Sequence, residues 1–321
     1  MRLLFFAAIL LFTHFSFGKK KEIEFTFEQK VDSLVVLADS LLNSPTILGK
    51  IHSNENYKRI LESILKDSLS IFYDFSRVPN LSVVTENRNH FRIYTWTVRV
   101  GNSEFDYFGF TQFQRKRQKG LFGPTIIENY IHELHNKSAK IGDDELKTLD
   151  ASNWWGCVYY ELVSSPKKKD KSYLIIGWDG FGYRSTKKII ETLKFNNKGV
   201  PTFGHKILRY DNNHGTKSPP KFVIKSRIIF EFSGKVTMSC SFNPQLNMVV
   251  FDHLAPSNPS LARLKFTYAP DFTYDGLTYS KKTWIYKRDL DVRNLEDVKA
   301  TKWKPKDTKN RTIDTLIPMR N

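Results

Sequence analysis

The chain has 321 residues and a formal net charge of +17 at pH 7, from 50 Lys and Arg against 33 Asp and Glu. This length allows one large domain or two smaller ones with a sizeable core, and an aromatic content of 14% favours sheet over helix. The positive charge attracts polyanions, but there is no helix-turn-helix, zinc-finger or RNP pattern, so we predict no nucleic-acid partner.

The first 18 residues have the pattern of a secretory signal peptide. The basic start Met1-Arg2 precedes the apolar run "LLFFAAILLFTHFSFG", in which Ser16 and Gly18 are small residues that fit a cleavage site. The alternative is an uncleaved anchor, but crossing a bilayer takes about 20 apolar residues and this run is shorter. We therefore expect residues 1–18 to be removed. The mature protein is predicted to be exported, periplasmic or extracellular, with no transmembrane segment after cleavage.

Residues 19–80 form a predicted helical region. The stretch "EQKVDSLVVLADSLLNSP" has apolar residues at helical spacing and ends at Pro45. The stretch "NENYKRILESILKDSLSIF" repeats the pattern, with Asn54 as a candidate N-cap. Because the connection between the two runs is short, we expect a helical hairpin.

From about Leu81 the apolar period changes to two. In "HFRIYTWTVRV" the residues alternate, and "GNSE" makes a turn into "FDYFGFTQFQ", which predicts a β-hairpin. Further strand candidates follow as far as about Lys287, separated by turn residues. Residues 81–290 are therefore predicted to form a large antiparallel β domain, a sandwich or barrel-like meander, and residues 291–321 an irregular tail. The predicted fold class is α+β, mainly β.

Several segments of this chain match a known group of sequences. They are "NWWGCVYY", "YLIIGWDGF" with "STKKIIETLKF", "GVPTFG", "RIIFEFS", "MVVFDHLAP", "YAPDFTYDGLTY" and, in the first half, "FRIYTW". In these motifs the chain resembles uncharacterised exported proteins of Bacteroidota-type bacteria, a group with no established function. The resemblance implies an exported, β-rich protein and supplies no activity.

The two cysteines are Cys157 and Cys240. In an oxidising compartment an even number of cysteines allows one disulfide. In "VTMSCSF" the alternation turns Cys240 to the apolar side, so the alternative is two small buried hydrophobic residues. The C-x-x-C pattern of redox and zinc sites is absent from the sequence.

Four aspartates lie at predicted strand ends or turns: Asp179, Asp252, Asp271 and Asp275. If these strand ends meet at one rim, the carboxylates could bind Ca²⁺, which takes six to eight oxygen ligands. None of them has the D-x-D-x-D-G spacing of a calcium loop. The alternative is that each makes an Asx-turn with nearby backbone N–H groups, which the two Asp-Gly pairs favour.

Asp252 and His253 are adjacent candidates for acid/base groups. A carboxylate beside an imidazole is half of a general acid/base arrangement, but adjacent strand residues point to opposite faces, so Asp252 would need a partner across the sheet. The alternative is a turn at the strand end. A serine-hydrolase elbow, G-x-S-x-G, and a phosphate loop are both absent from the sequence.

Trp178 is the best candidate for an exposed aromatic ring, because it lies beside glycine next to a predicted turn. An exposed ring beside Asp would suit a carbohydrate, whose apolar face stacks on the ring while its hydroxyls need polar partners. The alternative is that the ring belongs to the core, as most aromatics in a β-sandwich do.

These patterns predict an exported cell-envelope protein that binds a glycan or another protein, without catalysis, through the loops around Trp178 and residues 251–256. The alternative is a hydrolase that uses Asp179, Asp252 or Asp271, with Ca²⁺ as the candidate cofactor. No complete catalytic constellation can be written from the sequence, which favours binding. Aspartates that converge in one cleft with a raised pKa would favour the enzyme.

Overall fold

The computed structural model of this chain describes residues 26–88, 90–101, 104–120, 122–165, 171–180, 182–213 and 218–292. The chain divides into two compact units, with the boundary between Leu81 and Ser82. The predicted signal peptide, residues 1–18, and residues 293–321 of the predicted tail lie outside the described ranges. Among the described residues, no helix combines the length and the apolar character needed to cross a bilayer.

The unit that ends at Leu81 is the predicted helical hairpin. It consists of helices α1 (Phe27–Asn43) and α2 (Ile47–Leu65) and a short 3₁₀ turn (Ser68–Phe72). The apolar residues at helical spacing are buried, among them Val31, Leu34, Ala38, Leu61, Ile64 and Leu65. Burial of one stripe on each helix is what stabilises helices of this length.

Threonine side chains start both helices. The Oγ1 of Thr26 accepts a hydrogen bond from the backbone N–H of Gln29, whose side chain accepts from the N–H of Thr26, a reciprocal capping box. Thr46 caps α2 by accepting from the backbone N–H of Gly49 at 3.0 Å. The prediction of Asn54 as the cap was therefore wrong. Asn54 lies inside α2 and is buried, because the helix begins directly after Pro45 and Thr46.

The unit that begins at Ser82 contains three β-sheets, whose strands we number in chain order. The first consists of β1 (Ser82–Thr85), β2 (Phe91–Arg99), β3 (Phe105–Gln118) and β4 (Thr125–His135). The second consists of β5 (Leu149–Asp150), β6 (Val158–Ser164), β7 (Tyr173–Asp179), β8 (Ser185–Phe195), β9 (Pro201–Phe203) and β12 (Arg227–Ser233). The third consists of β10 (Leu208–Asp211), β11 (Phe222–Lys225), β13 (Cys240–Asn243), β14 (Met248–Pro256), β15 (Tyr268–Ser280) and β16 (Thr283–Lys287). A short helix, α3 (Ser138–Ile141), follows β4 in the chain.

Neighbouring strands run antiparallel in each of the three sheets, apart from the parallel pair β10–β16. The strand orders are β1-β2-β3-β4, then β5-β9-β8-β7-β6 with β12 also paired to β8, then β11-β10-β16-β15-β14-β13. The predicted fold class, an N-terminal helical hairpin followed by mainly antiparallel β structure, is confirmed. None of the sheets closes into a barrel within the described residues.

The second sheet lies between the other two. Leu174 and Ile176 of β7 pack in one core with Val249 of the third sheet, whereas Ile175 between them packs in another core with Ile93 of the first sheet. Side chains alternate between the faces of a strand, so this sheet is buried on both faces. Two-sided burial explains why "YLII" is apolar at consecutive positions instead of at every second one.

A chain of hydrogen bonds links several of the polar groups buried in this sheet. Glu191 of β8 and Arg227 of β12 form an ion pair with 3.2 Å between Nε and Oε2, and both side chains are 0% exposed. Glu191 also accepts a hydrogen bond from the Tyr159 hydroxyl, which accepts from the Trp154 indole at 2.9 Å. Arg227 donates further to the backbone carbonyl of Asp144 at 2.7 Å. The pair therefore joins β8, β12 and the loop before β5.

The two cysteines are buried free thiols, so the disulfide allowed by the sequence is not formed. Cys157 belongs to the core between the first and second sheets, and Cys240 to the core between the second and third. The second sheet therefore separates them. Burial raises the pKa of the Cys240 thiol to about 12, which leaves it protonated and unreactive at neutral pH.

Replacing Glu191 by Ala is expected to lower the free energy of unfolding by about 3–5 kcal/mol, because the buried Arg227 charge loses its partner. Equilibrium unfolding in urea measures this change. Glu104→Ala removes an exposed carboxylate of the same unit and is the control, with an expected change below about 0.5 kcal/mol. Equal losses in the two variants would contradict the role of the pair.

Candidate functional site

A cavity of 290 Å³ lies between the second and third sheets. Three of the residues singled out from the sequence line it: Asp252, His253 and Asp275. The other polar residues around it are Asp143, Glu145, Lys225, Glu231 and Lys265. The aromatic side chains of Tyr210, Phe230, Phe251 and Tyr268 complete much of the wall. The cavity is therefore small, polar and rich in carboxylates.

A β-bulge places the polar residues of this cavity. Asp252 of β14 pairs with Tyr274 of β15, but Leu254 pairs with Pro270. One residue of β14, His253, therefore lies opposite three residues of β15, 271–273. A bulge re-aims side chains that a regular ladder would send to alternate faces, and here it brings carboxylates of β15 to both sides of one imidazole.

Phe272 lies at the centre of this bulge and has a backbone φ of 68°. Such a left-handed conformation is strained for a residue with a side chain, and strained residues cluster at functional sites. The ring of Phe272 is 92% exposed, so no core packing compensates for the strain. The neighbouring carboxylate holds the loop in shape, because Asp271 Oδ1 accepts hydrogen bonds from the N–H and the hydroxyl of Thr273 at 3.0 and 2.7 Å.

His253 and Asp275 form a hydrogen-bonded pair, with 2.7 Å between Nδ1 and Oδ2. Asp275 is 1% exposed and also accepts from the Tyr286 hydroxyl at 2.5 Å and from the Asp289 N–H at 3.1 Å. The other ring nitrogen of His253, Nε2, lies 4.0 Å from Asp271 Oδ2. The imidazole is thus held at Nδ1 by a buried carboxylate, the arrangement that orients a general acid or base.

The pKa values of His253 and Asp275 are shifted in opposite directions. The hydrogen bond to Asp275 raises the pKa of His253 above its ordinary value, with the charges of Asp275, Asp271 and Asp289 adding to the effect against desolvation. Burial acts to raise the pKa of Asp275, but hydrogen bonds from His253 and Tyr286 outweigh it and the pKa is lowered. Both shifts favour the ion pair of an imidazolium and a carboxylate over the neutral pair.

The pKa of Asp252 is raised, in contrast to that of Asp275. Desolvation raises the pKa of Asp252, and the negative charge of Asp271 adds to this, although a hydrogen bond from the Ser239 N–H at 2.6 Å acts against it. Asp271 and Asp275 therefore lie on the two sides of His253, and Asp252 lies close enough to Asp271 for that charge to raise its pKa. Asp252 has its own partner in the Ser239 N–H, and His253 has a cross-strand carboxylate partner that the sequence did not indicate.

The residues that close the cavity on the second-sheet side were missed in the sequence. Glu145 pairs with Lys225 at 2.5 Å and also accepts from the N–H of Ile229 at 3.0 Å. Asp143 pairs with Lys187, whose side chain is only 3% exposed, at 2.7 Å. The one available signal was Lys187 itself, a charge within the apolar run of β8, which requires an acidic partner.

Trp178 and Asp179 lie elsewhere, on the side of the first sheet. Asp179 is 4% exposed, and its Oδ1 accepts from the Tyr107 hydroxyl at 2.7 Å, which in turn accepts from the Gly180 N–H at 2.7 Å. Trp178 is half-buried and packs edge-on against Phe105, with 5.8 Å between ring centroids. "GWDG" therefore ties two sheets together, and its placement with the other candidate residues in one site was wrong.

Of the other three aspartates, Asp271 fits the interpretation as a turn residue and Asp275 does not. Asp271 makes the Asx-type hydrogen bond to the Thr273 N–H that this alternative predicts. Asp275 lies inside β15 and is buried, so the following Gly276 marks no turn. A side chain at Gly276 would come within 2.6 Å of the Val249 carbonyl of β14, and this close approach of the strands is why glycine is required there.

Within the described ranges, no group of three or more His, Cys, Asp and Glu side chains is arranged to hold a metal ion. The Ca²⁺ site stays a prediction. No family model matches the chain, and neither a curated protein nor a solved structure matches it. The resemblance to exported Bacteroidota-type proteins therefore also stays a prediction.

The midpoint of the His253 titration, followed by NMR of the imidazole C–H signals, is expected above 6.5, its ordinary value. Asp275→Asn should return the midpoint towards 6.5, because the main cause of the raised pKa is removed. Because the pKa of His253 is higher in the folded state than in the unfolded state, His253 contributes to the free energy of unfolding. This contribution is complete below about pH 6.5 and is lost as pH rises through the folded-state pKa. The unfolding free energy of the wild type should therefore fall over this interval more than that of Asp275→Asn, and parallel curves would contradict the pairing.

Proposed function

We propose that this protein is an exported cell-envelope protein that binds a glycan unit in the cavity around His253. Export is supported by the signal-peptide pattern of residues 1–18 and by the resemblance of the chain to exported proteins. The observation that carries the binding proposal is the bulge at His253. It holds an exposed aromatic ring, Phe272, in a strained conformation on the strand segment opposite His253, and His253 lines a cavity together with several carboxylates.

The chemistry of the cavity matches a sugar better than an apolar ligand. Carboxylates such as Asp252 and Glu231 accept hydrogen bonds from hydroxyl groups, and the imidazolium of His253 donates them. Rings such as Tyr268 offer an apolar face for the C–H groups of a pyranose. A volume of 290 Å³ is close to the lower end of small-molecule sites, which is about 300 Å³, so one or two sugar residues fit.

The first test is a thermal-shift screen of the wild type with neutral, amino-sugar and uronic-acid oligosaccharides, in Ca²⁺ and again in EDTA. A ligand that binds only the folded state at a hundred times its dissociation constant stabilises it by about 2.7 kcal/mol. We expect at least one oligosaccharide class to raise the melting temperature by several degrees. If none does, the glycan proposal is wrong. If a rise depends on Ca²⁺, the metal contributes to the site.

Phe272→Gly separates a role in binding from a role in folding. Glycine adopts a φ of 68° without strain, so the unfolding free energy should stay the same or rise by up to about 1 kcal/mol. The affinity for the oligosaccharide found in the screen, measured by calorimetry, should fall about five-fold or more, because a stacked ring is worth of the order of 1 kcal/mol or more.

Tyr183→Ser is the matched control for this substitution. The side chain of Tyr183 is 88% exposed and belongs neither to the bulge opposite His253 nor to the cavity lining, so its loss should leave the affinity unchanged. Equal affinities of wild type and Phe272→Gly would remove the exposed ring from the site.

A second candidate function is a hydrolase, favoured by the bond between His253 and Asp275 at the cavity. His253 would exchange a proton with the substrate, and Asp275 would orient the imidazole. Asp252, with its raised pKa, would be the second acid/base group. Asp179, which the sequence offered for this role, is buried against Tyr107 outside the cavity lining. The described lining residues include no Ser, Thr or Cys, so the nucleophile would be water or a carboxylate such as that of Glu231.

Product analysis of the bound oligosaccharide distinguishes the two candidates. A hydrolase releases new reducing ends, and His253→Gln should slow this release by about 10²–10⁴-fold, the usual contribution of a general acid or base. A binding protein leaves the oligosaccharide intact in both variants. Asp179→Asn is the control outside the cavity, since an effect of the same size there would contradict the placement of the site.

A further inference from the structure

A two-stranded ribbon extends from the first sheet of the Ser82 unit. The last residue of β3 that pairs with β2 is Phe113, opposite Phe91. Beyond it, residues 115–118 pair only with residues 125–128 of β4. At about 3.3 Å per residue, the ribbon reaches about 13 Å past the sheet before its turn begins. It lies on the opposite side of the second sheet from the His253 cavity, so it serves no purpose in the site described above.

The tip of this ribbon exposes an aromatic ring. The turn is closed by a hydrogen bond from the Lys119 N–H to the Pro124 carbonyl at 3.1 Å, and Gly120 has a φ of 77° that few other residues adopt. Phe122, in this turn, is 93% exposed. The apolar exposure continues down β4 through Ile126, at 39%, and Ile127, at 50%.

Cations surround this apolar tip. Arg115, Lys116, Arg117 and Lys119 lie on the ribbon against a single carboxylate, that of Glu128. Arg115 and Arg117 both pair with Glu128, at 2.5 and 3.0 Å, and these contacts lower its pKa to about 2. The carboxylate is thus ionised at any physiological pH, and the ribbon retains a net charge of about +3.

The strand register mixes charge and apolar surface on both faces. Lys116 lies opposite Ile127, and Arg117 lies opposite Ile126. Residues directly opposite each other in an antiparallel pair share a face. Each face of the ribbon therefore presents a cation beside an isoleucine, with the exposed phenylalanine beyond them at the tip.

We propose that this ribbon docks the protein on an anionic lipid surface. Phe122 enters the interface between head groups and acyl chains, and Lys116, Arg117 and Lys119 contact lipid phosphates. The order of the groups along the ribbon supports this proposal. The apolar tip corresponds to the acyl-chain region of a bilayer, and the cations behind it correspond to the anionic head groups. An acidic polysaccharide or a nucleic acid could also stack on Phe122, but it would leave the exposed side chains of Ile126 and Ile127 in water, whereas a lipid interface covers all three apolar groups.

The test is co-sedimentation of the exported full chain with large vesicles of phosphatidylcholine alone or with an equal part of phosphatidylglycerol. Binding is expected only to the vesicles that contain phosphatidylglycerol, and it should weaken when the salt is raised to about 0.5 M. Each lysine close to an anionic surface strengthens binding about five-fold. Lys116→Glu with Lys119→Glu is therefore expected to lower the partition coefficient at least 25-fold.

Phe122→Ser tests insertion separately from charge, since it leaves the net charge unchanged. Its partition coefficient should fall about ten-fold, and Phe122→Trp should gain an emission signal, above that of the wild type, that brominated acyl chains quench. The charge control is Lys206→Glu with Lys235→Glu, both exposed and outside the ribbon, and the aromatic control is Tyr183→Ser. Neither control should approach the loss seen in the ribbon variants.

Three results would overturn the proposal. The first is equal binding of the wild type and Phe122→Ser. The second is an equal loss in the Lys206 and Lys235 control, which would mean adsorption by net charge alone. The third is binding to a soluble polyanion such as heparin with no binding to phosphatidylglycerol vesicles, which would assign the ribbon to an acidic glycan. His253→Gln should bind vesicles like the wild type, so this test does not depend on the function proposed for the cavity.

Discussion

The burial of the second sheet on both faces is the constraint on which the rest of the larger unit depends. A sheet with two apolar faces needs a covering layer on each side, and the first and third sheets supply them. Every polar group that this sheet carries then needs a partner inside the protein, because burying it without one costs several kcal/mol. Glu191 and Arg227 satisfy each other, Lys187 reaches Asp143, and Asp179 binds Tyr107. The contacts between layers follow from this requirement.

The cavity forms where this packing is relaxed. Regular pairing of β14 with β15 would place His253 and its neighbours on alternating faces, as the rest of both strands do. The bulge interrupts that alternation at one residue and leaves the backbone of Phe272 in a strained, left-handed conformation. The carboxylates of Asp271 and Asp275 then lie on the two sides of one imidazole. The pKa of Asp275 is lowered, while that of Asp252 is raised, and such a separation between neighbouring groups is typical of sites that bind or transfer protons.

The two surfaces of interest are built by opposite means. Around His253, side chains from β12, β14, β15 and the loop before β5 are held by hydrogen bonds from several directions, which fixes their positions to the precision that recognition of a small ligand needs. In the ribbon, residues 115–118 pair with residues 125–128 alone among the described strands, and the exposed side chains at its tip can meet a broad, fluid surface. A rigid recess and a protruding ribbon on one scaffold are compatible because the second sheet keeps them on separate sides.

The sequence by itself determined the elements and their order: the change from helical spacing to alternation near Leu81 predicted the hairpin of helices and the antiparallel sheets. It also selected Asp252, His253, Asp271 and Asp275, which do meet. It could not supply the partner of His253, because a bulge depends on how two distant strands pair and leaves no local pattern. It grouped Trp178 and Asp179 with them, because alternation tells which residues share a face and not which sheet covers that face. For the same reason it allowed a disulfide between Cys157 and Cys240. Only the tertiary structure decided these points, since layer order is set by contacts between residues far apart in the chain.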